Sequence, residues 1–404
     1  MKKEYERFAT MSGDLGVSDV GEFFRALLQE KAREYIIGVM LSEVEFLCGP
    51  RGQRHFESEY YRSGSASGYV LHEGRRQDVK RPRVRKKTSG GSVEAVLSTY
   101  EAAQEPGELH RRMLEAFQAG VSGREQSRLH GDNTPGASKS EMSRLWRMEG
   151  KKLLERFRER DICRADWLVL MLDGVVLEKD LIAVVALGVA ADGTKVVLDF
   201  ELGASESTEV AKALLKRLSR RGFSPMEGCR LLSVLDGSDA LRSAVSSFYP
   251  TTVFQRCLVH KERNLRPYMR RQDHDELSMH FDRLRKAEGF SAGKEALSEL
   301  EKFLSERNAA ALASLHEAGA DLLGLHSLNV PATLNTHLLS TNLIENPFRN
   351  VRRKTSRVCR WRKETDQASC WLAYALTEAE KGFRRLRNFK DLDTLRDALR
   401  FQRE

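Results

Sequence analysis

Along residues 20–47 apolar side chains return every three to four positions (Phe23, Phe24, Leu27, Leu28, Ile36, Ile37, Met40, Leu41, Val44, Leu47), which predicts amphipathic helix. Residues 49–74 then turn polar and rich in glycine and serine, with Tyr60, Tyr61 and Tyr69 interspersed, and read as an irregular or β-hairpin connector. Helical periodicity resumes over residues 109–119, 122–129 and 138–157, with Ser122 placed to cap the second piece and Ser138 or Ser140 the third. Short helices across a glycine-containing turn fit a helix-turn-helix whose later helix, about residues 140–146, enters a major groove; a plain helical bundle shows the same pattern.

From residue 167 the period changes. Residues 167–172, 181–190 and 195–202 are short apolar runs, the second rich in β-branched residues, and Asp192-Gly193 supplies a tight turn, so they predict an antiparallel meander. A helix over 207–221, a buried strand over 231–235, a helix over 240–248 and a strand over 252–254 follow. The order β-β-β-α-β-α-β is that of a ribonuclease-H-like α/β domain with a mixed sheet. Residues 259–328 are helical and charged, which predicts an all-α insertion before the helix that carries Glu345. The expected division is 1–88 (N-terminal helical and basic region), 89–160 (helix-turn-helix-like DNA-binding domain), 161–262 (first part of the catalytic core), 263–335 (all-α insertion) and 336–404 (second part of the core with C-terminal helices).

A chain of 404 residues has room for two or three buried cores, and its 67 Lys and Arg against 58 Asp and Glu leave a formal charge of +9. Such a surface attracts polyanions, with nucleic acid the first to consider. The six cysteines (Cys48, Cys163, Cys229, Cys257, Cys359, Cys370) are scattered without a disulfide-framework spacing and suit a reducing cytosol. Met1–Phe8 lacks the apolar core of a signal peptide and no run reaches the roughly 20 apolar residues that span a bilayer, so the expected location is cytoplasmic, beside the bacterial nucleoid.

Asp173 and Asp236 each follow an apolar strand and precede glycine, which permits a sharp exit and leaves space beside the side chain. The two strands are neighbours in the expected topology, so the carboxylates converge beyond the sheet. With Glu345, in Ser-Thr-Asn-Leu-Ile-Glu-Asn, they form a cage for two Mg²⁺ ions, for which Mn²⁺ substitutes; one ion activates the attacking water or 3′-hydroxyl and the other stabilises the leaving oxygen. Taken singly, each Asp-Gly is an ordinary turn, as Asp192-Gly193 is, and Glu345 is an i,i+4 partner for Arg349. Cys257 and His260 offer only two ligands, too few for a structural zinc, and read as packing at the edge of the site, where His260 touches a phosphate or the attacking group. Around them Arg256, Lys261 and Arg263 add positive charge.

Two further basic runs stand out. Arg81, Arg83, Arg85, Lys86 and Lys87 alternate with apolar residues as a strand or arm along phosphates would, although a solvated linker has the same composition. Downstream of Glu345, Arg349, Arg352 and Arg353 share a helical face with the carboxylate, Arg357 follows, and Trp361 is either a stacking platform for an unpaired base or a buried core residue. Arg124 and Arg144 complete the DNA-facing set.

These phrases together resemble the Mutator-type bacterial insertion-sequence transposases. The resemblance rests on Leu172-Asp173-Gly174, Glu206-Ser207, Arg221-Gly222, Asp236-Gly237, Gln255-Arg256-Cys257-X-X-His260-X-X-Arg263-Asn264, Ser340-Thr341-Asn342-X-Ile344-Glu345 and Trp371-X-Ala373. Looser matches in the N-terminal third are Tyr61-Arg62-X-Gly64, Arg81-Pro82-Arg83 and Gly120-Val121-Ser122-X-Arg124. It implies an Asp-Asp-Glu triad of Asp173, Asp236 and Glu345 as metal ligands, Cys257 and His260 as the family's Cys-X₂-His signature, and recognition of terminal inverted repeats with cut-and-join or copy-out chemistry on target DNA; simultaneous work on two DNA ends points to a homodimer. Pro347 just after the glutamate places it in the first turn of its helix. A structure-specific nuclease with no joining step, and a domesticated DNA-binding regulator, remain the alternatives.

Overall fold

A computed structural model describes residues 17–53, 58–72, 75–105, 107–130, 138–356, 358 and 360–401. Met1–Phe8, Gly74, the Gly/Asp/Asn/Pro loop at 131–137, Arg357 and Cys359, all of which entered the sequence reading, lie outside the described residues, as does the side chain of Phe23. The chain forms two compact units, Met1–Trp146 and Arg147–Glu404.

In the first unit the helix α1 (Val17–Cys48) lies on an antiparallel sheet of order β1-β2-β3, where β1 is Tyr60–His72, β2 Arg75–Thr88 and β3 Gly91–Ala95. Met40, Val44 and Cys48 of α1 pack on Val70, Val79 and Val84 of the sheet and on Leu97. Of the two readings of 49–74, irregular or β-hairpin connector, the hairpin is the one found: the segment contains the long strand β1, paired antiparallel with β2. Its glycines and serines hid the alternation, because only Val70 in β1 is fully buried and the other positions need no apolar side chain. Pro82 is tolerated because β3 pairs with β2 only from Val84 onward, so one side of β2 is an edge at the proline. Helices α2 (Ser98–Gln104), α3 (Gly107–Ala119), α4 (Gln126–His130) and α5 (Lys139–Arg158) follow. Ser138 caps α5, accepting from the Glu141 amide at 3.2 Å. Ser122 does not cap α4: its amide and hydroxyl both donate to the Glu125 carboxylate, and the helix starts only at Gln126.

The second unit is built on a five-stranded mixed sheet of order β6-β5-β4-β7-β8. Strands β4 (Trp167–Glu178), β5 (Leu181–Ala190) and β6 (Lys195–Gly203) form the antiparallel meander, and Asp192 accepts from the Thr194 amide in the turn between β5 and β6. Strands β7 (Leu232–Leu235) and β8 (Val253–Arg256) add in parallel beside β4. Helices α6 (Thr208–Arg220) and α7 (Asp239–Phe248) connect them, so the element order is β-β-β-α-β-α-β. Both faces of the sheet are covered, which is why its strands read as unbroken apolar runs. On one face α6 buries Ala211, Leu214, Leu215 and Leu218 against Leu170, Leu172 and Val184, each leucine contributing about 1.5–3 kcal/mol.

On the other face Val169, Met171 and Val175 of β4 meet Ile344, Phe348 and Val351 of α13 (Asn342–Thr355). Between β8 and α13 all described regular structure is helical: α8 (Leu258–Leu265), α9 (His274–Lys286), α10 (Gly289–Arg307), α11 (Ala309–Glu317) and the short α12 (Asn335–Leu338), with 3-10 turns. Buried Gln255 ties this segment to β8, accepting from the Leu325 amide at 2.8 Å and donating to the Leu322 carbonyl at 3.2 Å. After α13 come α14 (Gln367–Glu380) and α15 (Leu392–Leu399). No described helix is long and apolar enough to cross a membrane.

Candidate active site

The pleat of β4 decides where Asp173 points. It shares the face of Val169, Met171 and Val175, the face that α13 covers, so α13 delivers Glu345 to the same place. Asp173 does not end its strand: β4 continues to Glu178, and Asp173 pairs with Val185 of β5. Gly174 therefore serves no sharp exit. Its missing side chain admits Glu206, since a Cβ there would lie 2.4 Å from Glu206 Oε1.

Asp236 stands directly after β7, the parallel neighbour of β4. Its Oδ1 accepts from the Ser238 amide at 2.9 Å, and Gly237 turns the chain at φ +113° into the Ser238 cap of α7. The turn and the carboxylate site are one feature, because the turn fixes one oxygen and aims the group.

Ligand atoms of Asp173, Glu206 and Asp236 lie within 4.8 Å of one another, as do those of Asp173, His260 and Glu345. Asp173 is common to both groups. Burial pushes the Asp173 carboxyl up to about 7, with Asp236 and Glu345 adding repulsion and His260 and the Gly174 amide opposing. Glu206 is also raised to about 7, by burial first and then by Asp236 and Asp173. Buried oxygens Glu206 Oε1 and Glu345 Oε1 have no hydrogen-bond partner among the described residues.

His260 reaches Glu345 Oε1 with Nε2 at 3.4 Å, and its Nδ1 lies 3.3 Å from Thr341 Oγ1. Its pKa is raised to about 9, first by its interaction with the Cys257 thiol, then by the charges of Cys257, Asp173 and Glu345, against the effect of burial. Cys257 is fully buried and caps α8, accepting from the His260 amide at 3.4 Å and from the Thr341 amide at 3.3 Å. The Leu258 amide donates to the Leu339 carbonyl at 2.9 Å, and the Thr341 carbonyl accepts from the Glu345 amide at 3.0 Å. Cys257 and His260 thus fix the start of α13, and with it Glu345.

Pro347 sits inside α13, in its second turn rather than its first, because the helix begins at Asn342. Arg349 donates to Asn346 Oδ1 at 2.9 Å rather than pairing with Glu345, and Arg353 donates to Asn350 Oδ1 at 2.8 Å. Arg349, Arg352, Arg353 and Arg263 are exposed. Arg256 and Lys261 are drawn inward to Glu317, at 3.3 and 2.8 Å, and Lys261 is 1 % exposed, so that lysine presents no free charge. Trp361 is the buried alternative, at 7 % exposure, and its ring is not displayed as a stacking platform.

In the first unit Arg81 and Arg83 share Glu94 at 3.0 and 2.6 Å, and Lys86 reaches Glu59 at 3.2 Å. Arg85 donates to the Ser92 carbonyl and Lys87 to the Ser58 carbonyl. Arg124 is exposed, and Arg144 is exposed beside Glu141. The residue that sequence reasoning missed as a site member is Glu206. The available signal was its position just past the apolar run of β6, beside the helix-capping Ser207.

The chain is similar in sequence to known insertion-sequence transposases. The transposase for insertion sequence element IS905 of Lactococcus lactis is 27 % identical over 355 residues, 84 % of each chain. That for IS6120 of Mycolicibacterium smegmatis is 30 % identical over 228 residues, 54 % of this chain and 68 % of the relative. That for ISRM5 of Rhizobium meliloti is 25 % identical over 384 residues, 92 % of each. A family model described as transposase, Mutator family, matches residues 13–382. Spanning nearly the whole polypeptide, that match makes this chain a member of the Mutator family of transposases.

Proposed function

We propose that the chain cuts duplex DNA at the terminal inverted repeats of an insertion element and joins the freed 3′ ends to target DNA, using Asp173, Asp236 and Glu345 on a ribonuclease-H-like sheet. The observation that carries this reading is the meeting of two ligand groups at one shared aspartate, Asp173 with Glu206 and Asp236, and Asp173 with His260 and Glu345. Carboxylates crowded together, two of them raised to about 7 and two presenting buried oxygens without a hydrogen-bond partner among the described residues, are the environment that a divalent cation relieves. The donors are hard oxygens, as magnesium or manganese requires. Two such ions would be held by Asp173, Asp236, Glu345 and Glu206, and would supply charge stabilisation for an in-line displacement at a phosphodiester.

The protein's own contribution is positional. Asp173 is fixed by the strand ladder and by the Gly174 amide at 2.8 Å, and Asp236 by its turn. Glu345 is held by the Cys257–His260–Thr341 contacts, and His260 keeps a proton beside it. The helices of the first unit act as a helix-turn-helix on the repeats, and work on two DNA ends calls for a homodimer.

Full-length protein incubated with a duplex carrying its element's ends should nick it only with Mg²⁺ or Mn²⁺. Asp173→Asn should bind the same duplex with unchanged affinity and lose cleavage and joining. Normal strand transfer by that variant would overturn the assignment. Pre-cut ends with free 3′-hydroxyls separate a transposase, which inserts them, from a nuclease, which does not.

A further inference from the structure

A second cationic feature lies on α13, on the face turned roughly 100° from Glu345. A cavity of about 460 Å³ is lined by Lys195 at the start of β6, by Asn346, Arg349, Asn350 and Arg353 of α13, and by Phe383 beyond α14. Leu343, Pro347 and Ala379 add apolar lining. Lys195 is held over the Phe383 ring, 5.5 Å from the centroid, and burial depresses its pKa.

What sets the cavity apart is missing compensation. Other arginines of this unit lean on carboxylates, as Arg217 does on Asp199 and Glu201, and Arg285 on Glu262 and Asp282. Among the described residues Lys195, Arg349 and Arg353 meet no carboxylate, and the two arginines lean on neutral amide oxygens of Asn346 and Asn350. The acidic groups nearby in sequence are already engaged: Glu380 by Arg160 and the Val197 amide, Glu378 by Lys381, Asp192 by Arg385 and Thr194. Next to this cluster, His337 is held toward its neutral form by burial, with the charges of Lys195 and Arg387 contributing. Three cations around one concavity, two of them oriented by amides and none with a carboxylate in reach among the described residues, suit an anion.

We propose that this cavity is a phosphate pocket in which Lys195, Arg349 and Arg353 grip one backbone phosphate of the bound DNA strand, flanking the phosphate that is cut. The inference rests on the transposase reading. Arg349 and Arg353 lie four and eight residues beyond Glu345, about 6 and 12 Å along the helix axis. That span matches one or two nucleotide steps along a strand, so the helix that presents the carboxylate also sets the register of the substrate. Lys195 joins from a different element, which makes the pocket a clamp between β6 and α13.

The test uses full-length protein carrying Asp173→Asn, so that DNA is bound but not cut, with Lys195→Gln, Arg353→Gln and Lys195→Arg added singly. Affinity for the element-end duplex is measured by anisotropy at several salt concentrations, and folding by thermal melting. Lys195→Gln and Arg353→Gln should bind roughly tenfold more weakly, with a salt slope shallower by about one, while Lys195→Arg restores both. A neutral methylphosphonate placed at single positions beside the cut should weaken the Lys195 form at one position and weaken Lys195→Gln markedly less there. Unchanged slope and an unchanged methylphosphonate penalty in folded Lys195→Gln would overturn the pocket while leaving the transposase reading intact. Absence of salt-dependent end binding by the Lys195 form would remove both. Stabilisation by inorganic phosphate alone, dependent on Lys195 but with no effect on DNA slope, would mark a free-anion site and overturn the DNA contact.

Discussion

Single atoms carry the active-site geometry, and Gly174 is the sharpest case. Its φ is not in the left-handed region, so alanine fits the strand backbone, and the only severe neighbour of an added methyl is the flexible end of Glu206. Gly174→Ala should therefore leave the melting temperature within about 2 °C of the parent and slow DNA cleavage by roughly tenfold or more, by displacing the Glu206 carboxylate. Wild-type cleavage rates in a folded Gly174→Ala protein would exclude Glu206 from the site. At Asp236 the two roles of the side chain separate by substitution. Asp236→Asn keeps an oxygen to accept from the Ser238 amide, so the turn and the α7 cap survive while the charge is lost. Cleavage should vanish with stability unchanged to within about 0.5 kcal/mol, as read by denaturant titration beside a cleavage assay.

Elements show where the sequence was transparent and where it was not. The apolar runs of β4, β5 and β6 and the helical period of α6 announced themselves, because a sheet covered on both faces leaves only apolar side chains tolerable there. β4 was read six residues too short, since Gly174 after Asp173 has the composition of a turn and its true purpose, room for Glu206, is a long-range contact. β1 was hidden for the opposite reason, as a strand with one residue in the core needs no alternation. Glu206 was chemically anonymous in sequence, and Lys195 read only as the start of a strand. The unexpected polar support of the sheet is equally long-range: Asp199 of β6, fully buried, accepts from Arg217 at 2.6 Å and Arg221 at 3.1 Å across to α6. Replacing Asp199 by alanine leaves the partly buried Arg221 without a carboxylate and Arg217 with Glu201 alone, and should cost about 3 kcal/mol, measured as a fall in the denaturant midpoint at constant slope. A change below about 1 kcal/mol would mean that the guanidinium groups find water instead.

Across the whole molecule the raised carboxyls couple metal, protons and stability. Burial first and neighbouring carboxylates second push Asp173 and Glu206 up to about 7, above the ordinary carboxylate range, so between that range and 7 the folded state binds more protons than the unfolded one. The sign follows directly: their contribution to stability is fully present below about pH 4 and is lost as pH rises through 7, where the folded protein without metal must hold crowded like charges. A divalent cation binds the ionised form and reverses the loss, and its binding releases protons. Magnesium should therefore raise the melting temperature little at pH 5.5 and clearly at pH 8; at a hundred times its dissociation constant the gain is about 2.7 kcal/mol, or on the order of 5 °C for a unit of this size. In Asp173→Asn the pH 8 increment should shrink, because the shared ligand of both carboxylate groups is gone. Differential scanning calorimetry at the two pH values, with and without Mg²⁺, reads this. An increment equal at both pH values, or one that persists undiminished in Asp173→Asn, would place the stabilising ion away from these carboxylates.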